Sequence, residues 1–251
     1  MTTDDFAAID WQGRMVCCEG CEQRALQQAG RCALREACVA DRYAKRIDRF
    51  FGWNPEIAKQ YLTHPYFEVR AIAAKYVEVF YLPRLLGDPD ETVRWSAALR
   101  LPQRYLKMLR KDPDREVRIR VATRLAAEDL HEMMGDPDYY VRTVIARRIA
   151  VVRLPQMMRD PDSEVRIEVA WRIGVDALFG MVTDCDPAVR RVVAQRLPCG
   201  QLIRLRDDDD CLVRYEVAQR IDHAYLAPLL ADDDATVREA AMARAQERVA
   251  S

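Results

Sequence analysis

The chain has 251 residues, half of them apolar, with 39 Lys and Arg against 40 Asp and Glu and a formal net charge of −1. That apolar share feeds a continuous core and excludes a disordered chain, and the balanced charge argues against a general nucleic-acid binder. No run nears the roughly 18 to 20 apolar residues that span a bilayer, and the opening MTTDDFAAID carries acids where a secretory leader needs a basic stretch, so the expected location is cytoplasmic.

The first element in chain order is a cysteine cluster. Cys17, Cys18, Cys21, Cys32 and Cys38 are five of the chain's eight cysteines, crowded as metal ligands are in a reducing compartment. Cys18 and Cys21 form a C-x2-C chelate, with Gly20 expected to permit the turn between them. Cys32 and Cys38 come next, so Cys18, Cys21, Cys32 and Cys38 can close on one centre, with Cys17 as the alternative first ligand. Zinc accepts four thiolates tetrahedrally, and a [4Fe-4S] cluster accepts one per iron. The lack of a second close pair makes a zinc ribbon less natural and favours the cluster; unmetallated cysteines are the plain alternative. Arg14, Arg31, Arg35 and Arg42 stand near these thiols in sequence, as moderators of cluster charge or as ordinary surface groups.

Residues 41-64 read as a degenerate repeat joining this module to the regular array that begins at residue 65. Its Phe50, Phe51 and Trp53 are expected to cover the open end of the core, and Ile57 and Ala58 to be its apolar pair. A binding patch is the sharper alternative.

From residue 65 the sequence repeats every 24 residues. Val69, Val93, Val117, Val141, Val165, Val189, Val213 and Val237 keep that spacing, each followed by arginine. A fixed period of this kind marks stacked units that share a core, a solenoid. In Asp88-Pro89-Asp90-Glu91-Thr92-Val93-Arg94, Asp88 is expected as N-cap and Pro89 as the first helical residue. Val93, Ala97, Ala98 and Leu101 then mark one helix face, as do Val165, Val169, Ala170 and Ile173. A small alanine recurs at Ala74, Ala98, Ala122, Ala146, Ala170, Ala194 and Ala218, until Met242 replaces it. Pairs such as Leu82 with Leu85 and Leu154 with Met157, prolines between them, and the short unit predict one α-helix and one short 3-10 helix per repeat. Met133, Met134, Met157 and Met158 are expected as core filling.

Two arginine rows run through the repeats. The row Arg94, Arg118, Arg142, Arg166, Arg190, Arg214 and Arg238 lies four residues after an aspartate, which predicts i,i+4 pairs. The row Arg100, Arg124, Arg148, Arg172, Arg196, Arg220 and Arg244 lies near helix C-termini, where a cation favours the dipole. The alternative is a ladder of phosphate contacts. Residues 65 to 206 hold 25 basic against 20 acidic side chains and residues 207 to 251 hold 5 against 11, so the charge is polarised along the chain. His64, His131 and His223 occupy unrelated repeat positions. No catalytic constellation is implied, and the chain is not expected to be an enzyme. Cys185, Cys199 and Cys211 read as inert small residues.

The unit Asp-Pro-Asp-x-x-Val-Arg-x-x-x-Ala-x-Arg-Leu/Ile, following a cysteine cluster and the segment Asp48-Arg49-Phe50-Phe51-Gly52-Trp53-Asn54-Pro55, resembles the leucine-rich repeat variant (LRV) proteins. The resemblance implies an all-α, right-handed superhelical solenoid of alternating α- and 3-10 helices with a small N-terminal [4Fe-4S] module, in a family of nitrogen-fixing bacteria whose role is unassigned. It places the ligands at Cys18, Cys21, Cys32 and Cys38. The organisation expected is 1-40 iron–sulfur module, 41-64 capping repeat and 65-251 repeat solenoid. The favoured function is an iron–sulfur scaffold that binds a protein, its cluster redox-sensitive or an electron relay. The alternative is a helical-repeat nucleic-acid binder with a purely structural metal. Neither reading invokes a membrane or a small-molecule substrate.

Overall fold

In a computed structural model of the chain, residues 7–247 are described, and they fall into two compact units, one running to Ala126 and the other from Ala127. The expected segments 1-40 and 65-251 thus include residues, 1–6 and 248–251, that lie outside the described ones, as does most of the opening MTTDDFAAID.

In the first unit the helices are α1 (Arg24–Gln28), α2 (Ala44–Trp53), α3 (Phe67–Tyr76), α4 (Glu91–Ala98), the single turn α5 (Gln103–Leu106) and α6 (Arg115–Arg124). The 3-10 helices Pro55–Tyr61, Val79–Leu85 and Lys107–Leu109 alternate with them. In the second unit α7 (Tyr139–Arg148), α8 (Ser163–Arg172), the turn α9 (Val175–Leu178), α10 (Pro187–Arg196), α11 (Cys211–Ala218) and α12 (Ala235–Glu247) alternate with 3-10 segments such as Val151–Met157 and Cys199–Leu205. Among the described residues there is no strand, only the isolated bridges Ile9–Met15 and Ala33–Ala37. The fold class is an all-α solenoid of 24-residue repeats.

The repeating core follows from the sequence period. Val93, Ala97, Ala98 and Leu101 are fully buried, and the alanine row from Ala74 to Ala218 has no exposed surface, so consecutive helices within each unit meet across methyl groups. Leu82 with Leu85 and Leu154 with Met157 close the other side, each large side chain contributing about 1.5–3 kcal/mol. Of the methionines expected in the core, Met133 and Met157 are buried, but Met134 and Met158 are half-exposed because they stand on the turn just past each 3-10 helix. Phe50 and Phe51 are buried as expected, whereas Trp53, the last residue of α2, is partly exposed.

The expected caps are corrected by two residues. Asp90, not Asp88, is the N-cap of α4, accepting from the Thr92 amide at 2.9 Å, and Asp114, Asp138, Asp162, Asp186, Asp210 and Asp234 act likewise. Pro89 therefore precedes the cap. Asp88 instead folds the loop, accepting from the Asp90 amide at 3.0 Å, which leaves the rest of its carboxylate for another donor.

That donor overturns the i,i+4 pairing. Arg94 turns away from Asp90 and forks onto Asp112, eighteen residues on, through Nε and Nη2 at 2.7 and 2.8 Å. Its Nη1 meanwhile donates to the carbonyls of Asp88 and Pro89 in its own repeat. The same double hold recurs at Arg70 with Asp88, Arg142 with Asp160, Arg166 with Asp184, Arg190 with Asp208 and Arg214 with Asp232. A bidentate carboxylate largely removed from water outcompetes an N-cap carboxylate already bound to amides. The second row is corrected similarly. Arg124 donates to the Ala98 and Leu101 carbonyls, and Arg196 to those of Ala170 and Ile173, so each cation closes the C-terminus of the preceding helix, not its own.

The fork onto Asp232 gives a pH dependence. The Arg214 guanidinium holds this carboxyl below its ordinary value. Its contribution is complete above the unfolded carboxylate pKa and is lost as pH falls through the lower folded one. Asp232 should therefore titrate below a free aspartate in carboxyl NMR, and Arg214→Met should bring it back up.

Candidate functional site

The thiols are delivered by short irregular segments hung on α2. Near the N-terminus, Ile9 bridges to Met15 across a turn in which Asp10 accepts from the Gln12 and Arg14 amides and Gly13 takes φ +86°. The chain then turns at 18–21, with the Cys21 amide donating to the Cys18 carbonyl at 3.4 Å. Gly20, expected to permit this turn, has no left-handed φ; the positive φ values beyond Gly13 fall at Gly30 and Arg35. Gly30 ends α1 and Arg35 makes the loop bridged by Ala33 and Ala37, so both shape the segments that carry Cys32 and Cys38.

Cys32 and Cys38 are buried, 6% and 3% exposed; Cys18 and Cys21 are half-buried and Cys17 is exposed. Cys32 donates a hydrogen bond to the Cys38 sulfur, and this, with burial and the fields of Cys38, Cys21 and Cys18, pushes the Cys32 thiol far up. The same bond, against the effect of burial and aided by the amides of Ala40 and Asp41, holds the Cys38 thiol below its ordinary value. Burial raises Cys18, and then the fields of Cys38, Cys21 and Cys17 do so. Cys18, Cys21, Cys32 and Cys38 thus lie within one another's field. The Cys21 sulfur also accepts from the Gln23 amide at 3.4 Å.

Behind the thiols stands an aromatic wall. Tyr61 packs edge-on against Phe51, ring centroids 5.3 Å apart, and lies 6.1 Å from the His64 ring. A hollow of about 480 Å³ opens in front, lined by Val16, Cys17, Cys21, Val39, Tyr61 and His64 among others. His64 occupies the repeat position where later units carry Asp88 or Asp112; that break in the period was the sequence signal for its special place. Burial lowers its pKa, and its Nδ1 accepts from the Tyr66 amide.

Two contacts that sequence reasoning missed position the cysteines. Arg46 and Asp41 form an ion pair of 2.7 Å, side chains 2% and 1% exposed, and the Arg46 carbonyl accepts from the Cys38 amide at 3.1 Å. Asn54, fully buried, donates through Nδ2 to the carbonyls of Phe50 and Arg31, tying the chain just before Cys32 to the end of α2. Of the four arginines expected near the thiols, two are spent locally: Arg14 pairs with Asp10, and Arg31 with Glu56. Elsewhere, Cys185 and Cys199 are exposed, and Cys185 accepts from Arg166.

Among the described residues no three His, Cys, Asp or Glu side chains converge tightly enough to hold a single metal ion. The donor chemistry suits an iron–sulfur group: Cys32 lies in the field of Cys38, Cys21 and Cys18, amides are directed at the Cys21 and Cys38 sulfurs, and a hollow lined by Cys17 and Cys21 lies against Tyr61.

Residues 8–60 match the sequence profile described as the LRV protein FeS4 cluster. An uncharacterized 27.7 kDa protein in the nifB 3′ region of Rhodobacter capsulatus is 52% identical over 94 residues, a match that spans 38% of each chain. Among solved structures, "a leucine-rich repeat variant with a novel repetitive protein structural motif" is 43% identical over 91% of this chain and 98% of that one, with a TM-score of 0.87.

Proposed function

The chain belongs to the leucine-rich repeat variant family and carries that family's iron–sulfur segment on a helical-repeat scaffold, and from this premise we propose that it is a non-enzymatic iron–sulfur protein whose repeats bind a protein partner. The group held is read as a [4Fe-4S] cluster ligated by Cys18, Cys21, Cys32 and Cys38, which when bound supplies one-electron or oxygen-sensitive chemistry. The observation that supports this reading is that Cys18, Cys21, Cys32 and Cys38 feel one another's charge, next to a hollow that Cys17 and Cys21 line. Partial burial favours Cys18 over the exposed Cys17 as the first ligand.

The arginine rows favour a protein over a nucleic acid. Their guanidinium groups are committed to aspartates and to helix-end carbonyls, and each phosphate contact through them would first have to break such a hold.

Anaerobic purification followed by iron, acid-labile sulfide and zinc analysis tests the reading. About four irons and four sulfides per chain are expected, with absorbance that bleaches on reduction. One zinc without iron overturns it. Cys18→Ser should lose iron and Cys17→Ser should keep it; the reverse result makes Cys17 the ligand.

A further inference from the structure

The end of the second unit breaks the pattern of forks. In Arg142, Arg166, Arg190 and Arg214, Nη1 holds the carbonyls of its own loop while Nε and Nη2 clasp an aspartate eighteen residues on. Arg238 makes the first half of this arrangement, donating through Nη1 to the Asp232 carbonyl. Among the described residues no carboxylate meets its Nε and Nη2.

The neighbouring apolar position is open as well. Val237 and Ala241 are buried, with α11 packed against α12, but Met242 replaces the alanine that is fully buried in the preceding repeats and is 49% exposed. A repeat that simply ends in water presents a polar outer face. Here a half-buried bidentate donor and an exposed thioether remain together, in the arrangement that receives a following repeat.

We propose that this end of the second unit docks a protein partner carrying an aspartate at an Asp-x-Asp helix start, its carboxylate taking the Arg238 fork that no described carboxylate fills and an adjoining apolar residue covering Met242. Charge complementarity selects the occupant. A planar guanidinium fork matches a single carboxylate bidentately, while the acidic run Asp232, Asp233 and Asp234 repels a polyanion. A head-to-tail second copy offers no such group: Asp88, Asp112, Asp160, Asp184, Asp208 and Asp232 are already clasped, Asp136 is engaged as well, and His64 stands where the first of this row would be. The proposal deepens the scaffold reading and rests on it, and iron content measured on the same samples keeps failure of the two apart.

The test uses the full chain and a fluorescein-labelled peptide copying residues 160–183, whose Asp160 is the native partner of Arg142. Fluorescence anisotropy should show saturable binding. Arg238→Gln in the chain, and Asp160→Asn in the peptide, should each weaken it by about tenfold or more. Met242→Lys should weaken it too, and the circular dichroism of Arg238→Gln should match the parent because no internal fork is broken. Binding that survives Arg238→Gln, or no saturation by about 1 mM peptide, overturns the proposal. An Arg238-dependent dimer of the chain alone in sedimentation equilibrium also overturns it, by giving the face to a second copy.

Discussion

Arg46→Met should destabilise the first unit by about 3–5 kcal/mol, because it leaves the Asp41 carboxylate buried without its counter-charge. The two side chains are almost wholly removed from water, and the guanidinium also donates to the Ala7 carbonyl at 3.4 Å. The loss should spread to the thiols, since the Arg46 carbonyl receives the Cys38 amide and the Asp41 amide is aimed at the Cys38 sulfur. Urea unfolding followed by circular dichroism reads the stability, and iron per chain reads the site. The double variant Arg46→Met with Asp41→Leu separates charge burial from packing: removing both charges should restore much of the stability. If the double variant is as unstable as the single one, the effect comes from shape and not from the unpaired carboxylate.

Cys38→Ser should reduce iron to about a tenth or less of the parent, because loss even of a group supporting a ligand costs ten- to a hundredfold and Cys38 is read as a ligand itself. The helical signal should barely change. The segment around Cys38 contains no long helix, whereas the repeats bury their own valines, alanines and leucines. Global unfolding of Cys38→Ser would mean that the repeats depend on the cysteine segment and would overturn that separation. Arg46→Met and Cys38→Ser thus differ in signature: the first should lose stability and iron together, the second iron with the fold intact.

The repeats were legible because each copy buries the same residues at the same places. Val93, Ala97 and Ala98 announce a helix face, while Leu101 is buried just past the end of α4, and the short remainder of each unit leaves room only for a 3-10 segment or a single helical turn. The partners of the charged residues were not legible in the same way. Asp88 and Asp90 have identical chemistry, and only the arrival of the Arg70 fork from the preceding helix decides which one caps α4. The local Asp90 to Arg94 spacing suggested a pair that geometry gives instead to Asp112, eighteen residues away, a distance that helix periodicity cannot encode. At the cysteines, spacing nominated a set of thiols, and it is the loop geometry that brings Cys18, Cys21, Cys32 and Cys38 within one another's field. Arg46 and Asp41 carried no signal, and Asn54 stood only within the segment behind the family resemblance, since a charged residue or an asparagine beside a helix reads as surface until its burial is known.

The double grip of the guanidinium groups has a mechanical consequence. From Arg142 to Arg214 every cation clasps the turn it springs from and the turn of the next repeat, so tension applied to one end of the second unit passes from loop to loop through paired bonds lying across the joints. A spring built this way stretches little before it breaks. Under a pulling force the second unit should yield in one abrupt event and not peel off one repeat at a time.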